Sequence, residues 1–500
     1  VHPVKPSEKD GQTGKSFMNG TFWVFLAEAL IFPTGLITAG ILTRRLGQDG
    51  YGLLTLGAVL VSWVEWTITS IFARTAIKFV SDAEDWQPVG TVIVQLHFIL
   101  GALATAVLWV FAQPIANLLD IPGFVAYLRL FALDIPIFCL AYAHRQLLVG
   151  RGHYSERAVA SAARWVARLV IIAVLVEYAR WSIEGAILGS VGASVVELAI
   201  ARWYIRPTLL GKSSFPPQRL FGYAVPLFLF ATSLRLFDKL DLFMLKILGG
   251  SVEQAGVYGA AQNLAFIPGI FALSFSPLLL ATLNVSLRTG ELTQARQIGF
   301  NSVRTVIVLT PYAALAAAAA VPIVSVVYGQ DFAAAGPVLA VLIFAAMALM
   351  MISVVTAILT AASRPNLTVV LVAPMLPISA IGYGVFVPRY GEMGACWVNL
   401  AAAVLGALAS LAALYKIWQI AVPIKSCIRS AIAGLIIYAI ALRWITPDPS
   451  FVLKLLALSL LLPVILLCLG ELNRAELRFV SGWLTQQPWF KSVWSRHLKP

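Results

Sequence analysis

Apolar residues in this chain run in long unbroken stretches, and polar residues are confined to short connections between them. Fourteen such stretches are readable: 21–43, 53–80, 89–112, 124–143, 157–179, 183–205, 219–248, 255–283, 297–327, 335–361, 366–387, 392–415, 427–446 and 451–470. A helix rising ~1.5 Å per residue needs about 20 apolar residues to cross a ~30 Å hydrocarbon layer, and each stretch meets or approaches that length. No connection is long enough for a soluble domain. The pattern predicts an all-α integral membrane protein of 14 transmembrane helices.

Composition agrees. Hydrophobic residues make up 60% of the chain and charged residues 12%, against roughly 25% charged in soluble domains. A soluble enzyme is excluded. The four cysteines all fall inside predicted helices without metal-ligand spacing, so neither disulfides nor a metal site is expected. The polar segment 1–20 leads into a full-length span, so no cleavable signal peptide is expected.

A formal net charge of +13 invites a nucleic-acid reading, but the distribution of charge points elsewhere. Lys and Arg are in roughly four-fold excess on alternate connections, as the positive-inside rule requires. This predicts cytoplasmic termini in a bacterial cytoplasmic (inner) membrane and no nucleic-acid partner.

The first twelve spans read as two related sets of six. Leu46-Gly47 … Gly50-Tyr51-Gly52 matches Leu248-Gly249 … Gly256-Val257-Tyr258-Gly259. Gly150-Arg151-Gly152 matches Ser363-Arg364-Pro365, and Leu119-Asp120 … Phe124 matches Gly329-Gln330-Asp331-Phe332. Three matches in order support a parallel repeat about an axis along the membrane normal. The resulting division is 1–20 as a cytoplasmic segment, 21–205 as an N-lobe and 206–218 as a cytoplasmic linker. A C-lobe at 219–415, two extra helices at 416–470 and a cytoplasmic tail at 471–500 complete it. The tail reads equally as an amphipathic segment on membrane lipids or as a frayed terminus.

The turn at 46–52, together with Pro226 … Asp241-Leu-Phe-Met-Leu-Lys-Ile-Leu-Gly-Gly250 … Gly256-Val-Tyr-Gly-Ala-Ala261, resembles one family. It is the polysaccharide exporters, or lipid-linked oligosaccharide flippases, of the multidrug/oligosaccharidyl-lipid/polysaccharide superfamily. The resemblance covers roughly 15–470. It implies two six-helix lobes in a MATE-like V around an alternately opening cavity, no enzyme activity and no cofactor. It implies as cargo a glycan on a polyprenyl pyrophosphate, and polymerase or export proteins as partners. A drug or small-solute antiporter of the same fold is the neighbouring alternative; a membrane-embedded glycosyltransferase or polymerase is the rival from another class.

Ionisable residues at membrane depth locate a cavity independently of the family, because hydrocarbon tolerates them chiefly toward a bundle interior or water. They concentrate in spans 1–9. Arg157, Ser161, Arg164 and Arg168 share one helical stripe. Guanidinium groups grip phosphate oxygens in a bidentate fork, so Arg168 and Arg164 are candidate pyrophosphate ligands, with Arg235, Arg74 and Lys239 on other spans. Arg157 and Arg164 also suit snorkelling to headgroups. Glu28 and Glu65 lack a basic neighbour at helical spacing and are coupling candidates, with Asp238 beside Arg235 and Lys239. Glu65 alternatively pairs with Arg168, Asp134 with Arg129 and Asp241 with Lys239, while His97 reads as a packing residue. Pro33 and Pro226 correspond under the repeat and are hinge candidates. The Gly-Lys-Ser runs at 14–16 and 211–213 lack the first glycine of a phosphate-binding loop. Without a nucleotide site, transport draws on H+, Na+, the membrane potential or product removal.

Overall fold

A computed structural model describes residues 27, 30–208, 211, 215–216, 240–361, 365–446 and 450–472. Every regular element among them is helical. We number them α1 (Ile31–Asp82), α2 (Gln87–Leu118), α3 (Phe124–Ala132), α4 (Asp134–Gly150), α5 (Tyr154–Ile172) and α6 (Ile183–Tyr204). There follow α7 (helical residues 240–247), α8 (Val252–Ala265), α9 (Ile267–Arg288), α10 (Leu292–Ala318), α11 (Ala320–Tyr328) and α12 (Ala335–Ala361). The last four are α13 (Pro365–Val372), α14 (Met375–Trp418), α15 (Ile424–Trp444) and α16 (Phe451–Cys468). Among the described residues ten helical segments are long and apolar enough to cross a membrane. The chain is a multi-pass membrane protein.

The limits of several elements follow from proline. Its ring clashes with the carbonyl four residues back. Thus α3 ends at Ala132 ahead of Pro136, α10 ends at Ala318 ahead of Pro322, and α8 ends beside Leu264 ahead of Pro268. The spans expected at 255–283 and 297–327 are each divided for this reason. Glycine sets limits too: α1 is two helices that meet in a kink at Gly47, with φ +67° and ψ −173°, so the stretches expected on either side of it remain separate helices. A glycine enters that region without a Cβ clash. Gly391, with φ +55°, interrupts α14 in the same way.

Two of the matched sequence pairs share local geometry. Gly47 and Gly249 both have positive φ, as do Asp120 and Gly329, and the latter turns lead into the fully buried Phe124 and Phe332. Pro33 lies in the first turn of α1, where a missing N–H is least costly. Pro226 lies outside the described residues.

Compact packing divides the chain into two units. The first comprises 1–264, 324–338 and 369–402, and the second 265–323, 339–368 and 403–500. In the first, Phe72, Ala76 and Val80 of α1 pack with Val89 and Ile93 of α2 and Leu147 and Leu148 of α4. In the second, α10, α15 and α16 share a core built from Ala314, Leu315, Ala433, Ile437, Leu458 and Leu462.

Candidate functional site

The first unit carries a charged network at helix depth. Glu197 of α6 is fully buried and is approached by two arginines: Arg145 Nε of α4 at 3.0 Å and Arg164 Nε of α5 at 3.4 Å. Arg145 also donates to Ser161 Oγ at 3.4 Å and lies over the Tyr142 ring. Arg164 is held between the Phe138 and Trp165 rings, at 4.4 and 5.4 Å from their centroids. Aromatic faces favour a guanidinium, and one carboxylate offsets part of its burial cost. Arg164 is therefore already engaged.

Arg168, one turn further along α5, differs. Among the described residues it makes no ion pair, and its buried Nε has no hydrogen-bond partner. Glu65 of α1 and Asp134 of α4 lie within electrostatic reach of it, as does the Tyr51 hydroxyl. Both acids are buried, and Glu65 Oε1 and Asp134 Oδ1 are unpartnered. Neither of the expected ion pairs forms. Glu65 does not contact Arg168 as a salt bridge, and Asp134 faces the network, while Arg129 instead donates to the Trp109 carbonyl at 3.4 Å. The cause is register: Asp134 opens α4 on its buried face, whereas Arg129 ends α3 on the exposed side.

Two histidines flank this region as packing residues. His97 Nδ1 faces the Ile93 carbonyl at 2.8 Å and His144 Nδ1 faces the Leu140 carbonyl at 2.7 Å. Those contacts require a proton on Nδ1 and leave each buried Nε2 as an acceptor.

Asp241 of α7 is fully buried and receives neutral donors. Tyr258 Oη donates to Oδ2 at 2.6 Å, Asn399 Nδ2 to Oδ2 at 2.7 Å, and Gln262 Nε2 reaches both oxygens at 3.0 and 3.2 Å. The Leu242 N–H donates to Oδ1 at 2.8 Å. These bonds tie α7, α8 and α14 together and leave the carboxylate little capacity for a ligand. Arg235, Asp238, Lys239 and Glu28 fall outside the described residues, as does the side chain of Arg74.

In the second unit, two arginines and a carboxylate meet at Glu471. Glu471, just beyond α16, accepts from Arg304 Nε at 2.8 Å and Ser426 Oγ at 2.6 Å, with Arg429 Nη1 at 3.4 Å. Arg429 Nη1 also donates to the Gly470 carbonyl at 2.7 Å. This clamp fastens α16 to α10 and α15, and the sequence reading missed both Glu471 and Arg145.

Residues 41–337 match the family model described as "Polysaccharide biosynthesis protein", which is more than half of the chain. The chain belongs to this polysaccharide biosynthesis family. A relative in Rhizobium meliloti (strain 1021), the succinoglycan biosynthesis transport protein ExoT, is 23% identical over 341 residues. The match covers 66% of this chain and 66% of ExoT, just under two thirds of that protein's length. Among solved structures, the lipid II flippase MurJ in an inward closed conformation superposes with a TM-score of 0.66 at 15% identity. That superposition covers 91% of this chain and 98% of MurJ. An inward-facing multidrug resistance MATE family transporter of the MOP superfamily gives a TM-score of 0.67 at 14% identity, covering 78% of this chain and 96% of the transporter. The polysaccharide-exporter resemblance and the MATE-like helical fold expected from sequence are borne out.

Within this family fold, the structure brings Arg164, Arg168 and Glu65 of the expected residues into one neighbourhood. It adds Arg145, Asp134 and Glu197, whose relevance sequence spacing did not reveal.

Proposed function

We propose that this protein is a flippase that carries a polyprenyl-pyrophosphate-linked oligosaccharide from the cytoplasmic to the outer leaflet by alternating access. Its relatives are transport proteins and its family is that of polysaccharide biosynthesis. The observation that carries the reading is Arg168: its Nε is buried and unbonded and, among the described residues, it makes no ion pair, beside arginines already engaged by Glu197. A buried cation without a direct ion pair is costly in low dielectric, and an arriving pyrophosphate relieves that cost with two charge-assisted hydrogen bonds. Arg235, Arg74 and Lys239 are the further ligands we assign to the cavity. Arg164 serves by shaping it.

We assign fourteen spans, the lobes 21–205 and 219–415, cytoplasmic termini and an inner-membrane location. Coupling runs through Glu65, whose unpartnered carboxyl lies near Arg168, with Glu28 and Asp238 as further candidates. When the phosphate occupies Arg168, a neighbouring carboxylate gains a proton more readily because its cation is shared. An H+ or Na+ gradient or the membrane potential supplies the drive, and a unit charge crossing 100 mV is worth ~2.3 kcal/mol.

The test is reconstitution of the purified protein in vesicles with a fluorescent polyprenyl-pyrophosphate glycan, imposing pH gradient and potential separately. Protein-dependent flipping that responds to one gradient is expected. Transport of cationic drugs without movement of the glycan lipid would replace this reading by the antiporter one.

A further inference from the structure

The start of the 48–82 arm of α1 meets α8 with almost no side chain between. A Cβ on Gly52 would lie 2.1 Å from the Val252 carbonyl oxygen and 3.0 Å from the Gly256 nitrogen. Reciprocally, a Cβ on Gly256 would lie 2.3 Å from the Gln48 carbonyl oxygen and 3.0 Å from the Gly52 nitrogen. One turn on, Gly259 faces Thr55, whose Cβ would be 3.4 Å from an added Cβ. Backbones approach this closely in membranes only where small residues line both helices.

Polar groups flank the crossing. Asn263 Nδ2 donates to the Tyr51 hydroxyl at 3.0 Å, and Arg44 Nη2 donates to the Val326 carbonyl at 2.8 Å. Gln48 Nε2 donates to the Asp331 carbonyl. The Tyr51 ring lies edge-on to Phe332 at 5.7 Å and 6.4 Å from Tyr328. One stripe of α1 therefore binds residues of the second repeat throughout, at the turns that the charge asymmetry assigns to the outer face. A smooth glycine surface parts without unpicking interlocked side chains, and a single hydrogen bond is a modest net restraint.

We propose that the Gly52–Gly256 crossing, latched by Tyr51 and Asn263, is the outer gate of the transport path. It rests on the flippase reading for its cargo.

The Thr55→Cys/Gly259→Cys pair tests the gate in a background without Cys139, Cys396, Cys427 and Cys468. Its Cβ separation is close to the roughly 3.5–4.5 Å that disulfides adopt. Oxidation should cross-link it, lower glycan flipping in vesicles at least tenfold, and be reversed by reductant in the same sample. Equal flipping by oxidised and reduced protein, or failure to cross-link, would overturn the gate. A second measurement needs no glycan: Thr55→Cys labelled from outside by a membrane-impermeant maleimide. Adding Tyr51→Phe should raise the labelling rate several-fold, and an unchanged rate would overturn the latch. If wild type moves no glycan yet labelling responds, the cargo assignment fails and the gate stands.

Discussion

The helices α1, α4, α5 and α6 and the helices α10, α15 and α16 cross comparable lengths with opposite interiors. The first set buries Glu65, Asp134, Arg145 and Glu197, with Arg164 and Arg168 alongside. The second packs alanine, leucine and isoleucine and joins Arg304 and Arg429 to Glu471 in one cluster. Lipid gives apolar helices no hydrophobic reason to associate, so the second set is held by close packing and its terminal clamp. The first set retains charge where charge is costly. The difference separates a part that keeps charge in its interior, which we propose meets a charged ligand, from a part held by apolar packing.

The sharpest way to break this contrast is to remove Glu197. Glu197→Ala leaves Arg145 and Arg164 buried without their carboxylate, and breaking such a buried pair costs about 3–5 kcal/mol. Thermal or SDS unfolding of the purified protein should show that loss, and a shift below about 1 kcal/mol would mean that the network is solvated. Leu458→Ala, in the apolar set, removes packing without exposing apolar surface to water. The expected cost is about 1–2 kcal/mol, below the 2–5 kcal/mol typical of soluble cores. Glycan flipping should be unchanged. Reduced flipping at intact stability would give α15 and α16 a transport role.

The smallest effect concerns Glu471. Burial alone raises a carboxyl pKa, but the Ser426 hydroxyl and the Arg304 and Arg429 guanidiniums outweigh it and hold Glu471 below its ordinary value. A depressed carboxyl contributes stability that is present above its unfolded pKa, roughly 4.3, and lost as pH falls through the folded value. The unfolding midpoints of wild type and Glu471→Gln should therefore differ at pH 7, draw together as pH falls below the unfolded value, and meet only once it has passed the depressed folded one. Curves that stay parallel across that window would show that the carboxylate charge contributes nothing to the clamp.

The run of apolar residues was enough to read helices, and the proline rule accounts for where α3, α8 and α10 stop. The division of α1 into two helices at Gly47 was legible, because Leu46-Gly47 reads as a helix end with glycine in its positive-φ position. Arg164 and Arg168 stand out by helical spacing, but their different surroundings depend on Glu197 and Arg145, which lie on other helices. No local period reports such pairings. Asp134 looked like a partner for Arg129 because they are five residues apart, yet the break ahead of Pro136 turns them to different faces. Glu471 follows the last apolar span, where nothing in the pattern marks it as the anchor of three helices.

The central claim is that Arg168 awaits an anionic ligand. Its most direct test is equilibrium binding of a short-chain polyprenyl pyrophosphate to the purified protein, read by intrinsic tryptophan fluorescence. Wild type should bind, Arg168→Ala should weaken binding at least tenfold, and Arg168→Lys should recover part of it, since an ammonium lacks the bidentate fork. Equal affinity in all three proteins, at unchanged stability, would contradict the claim.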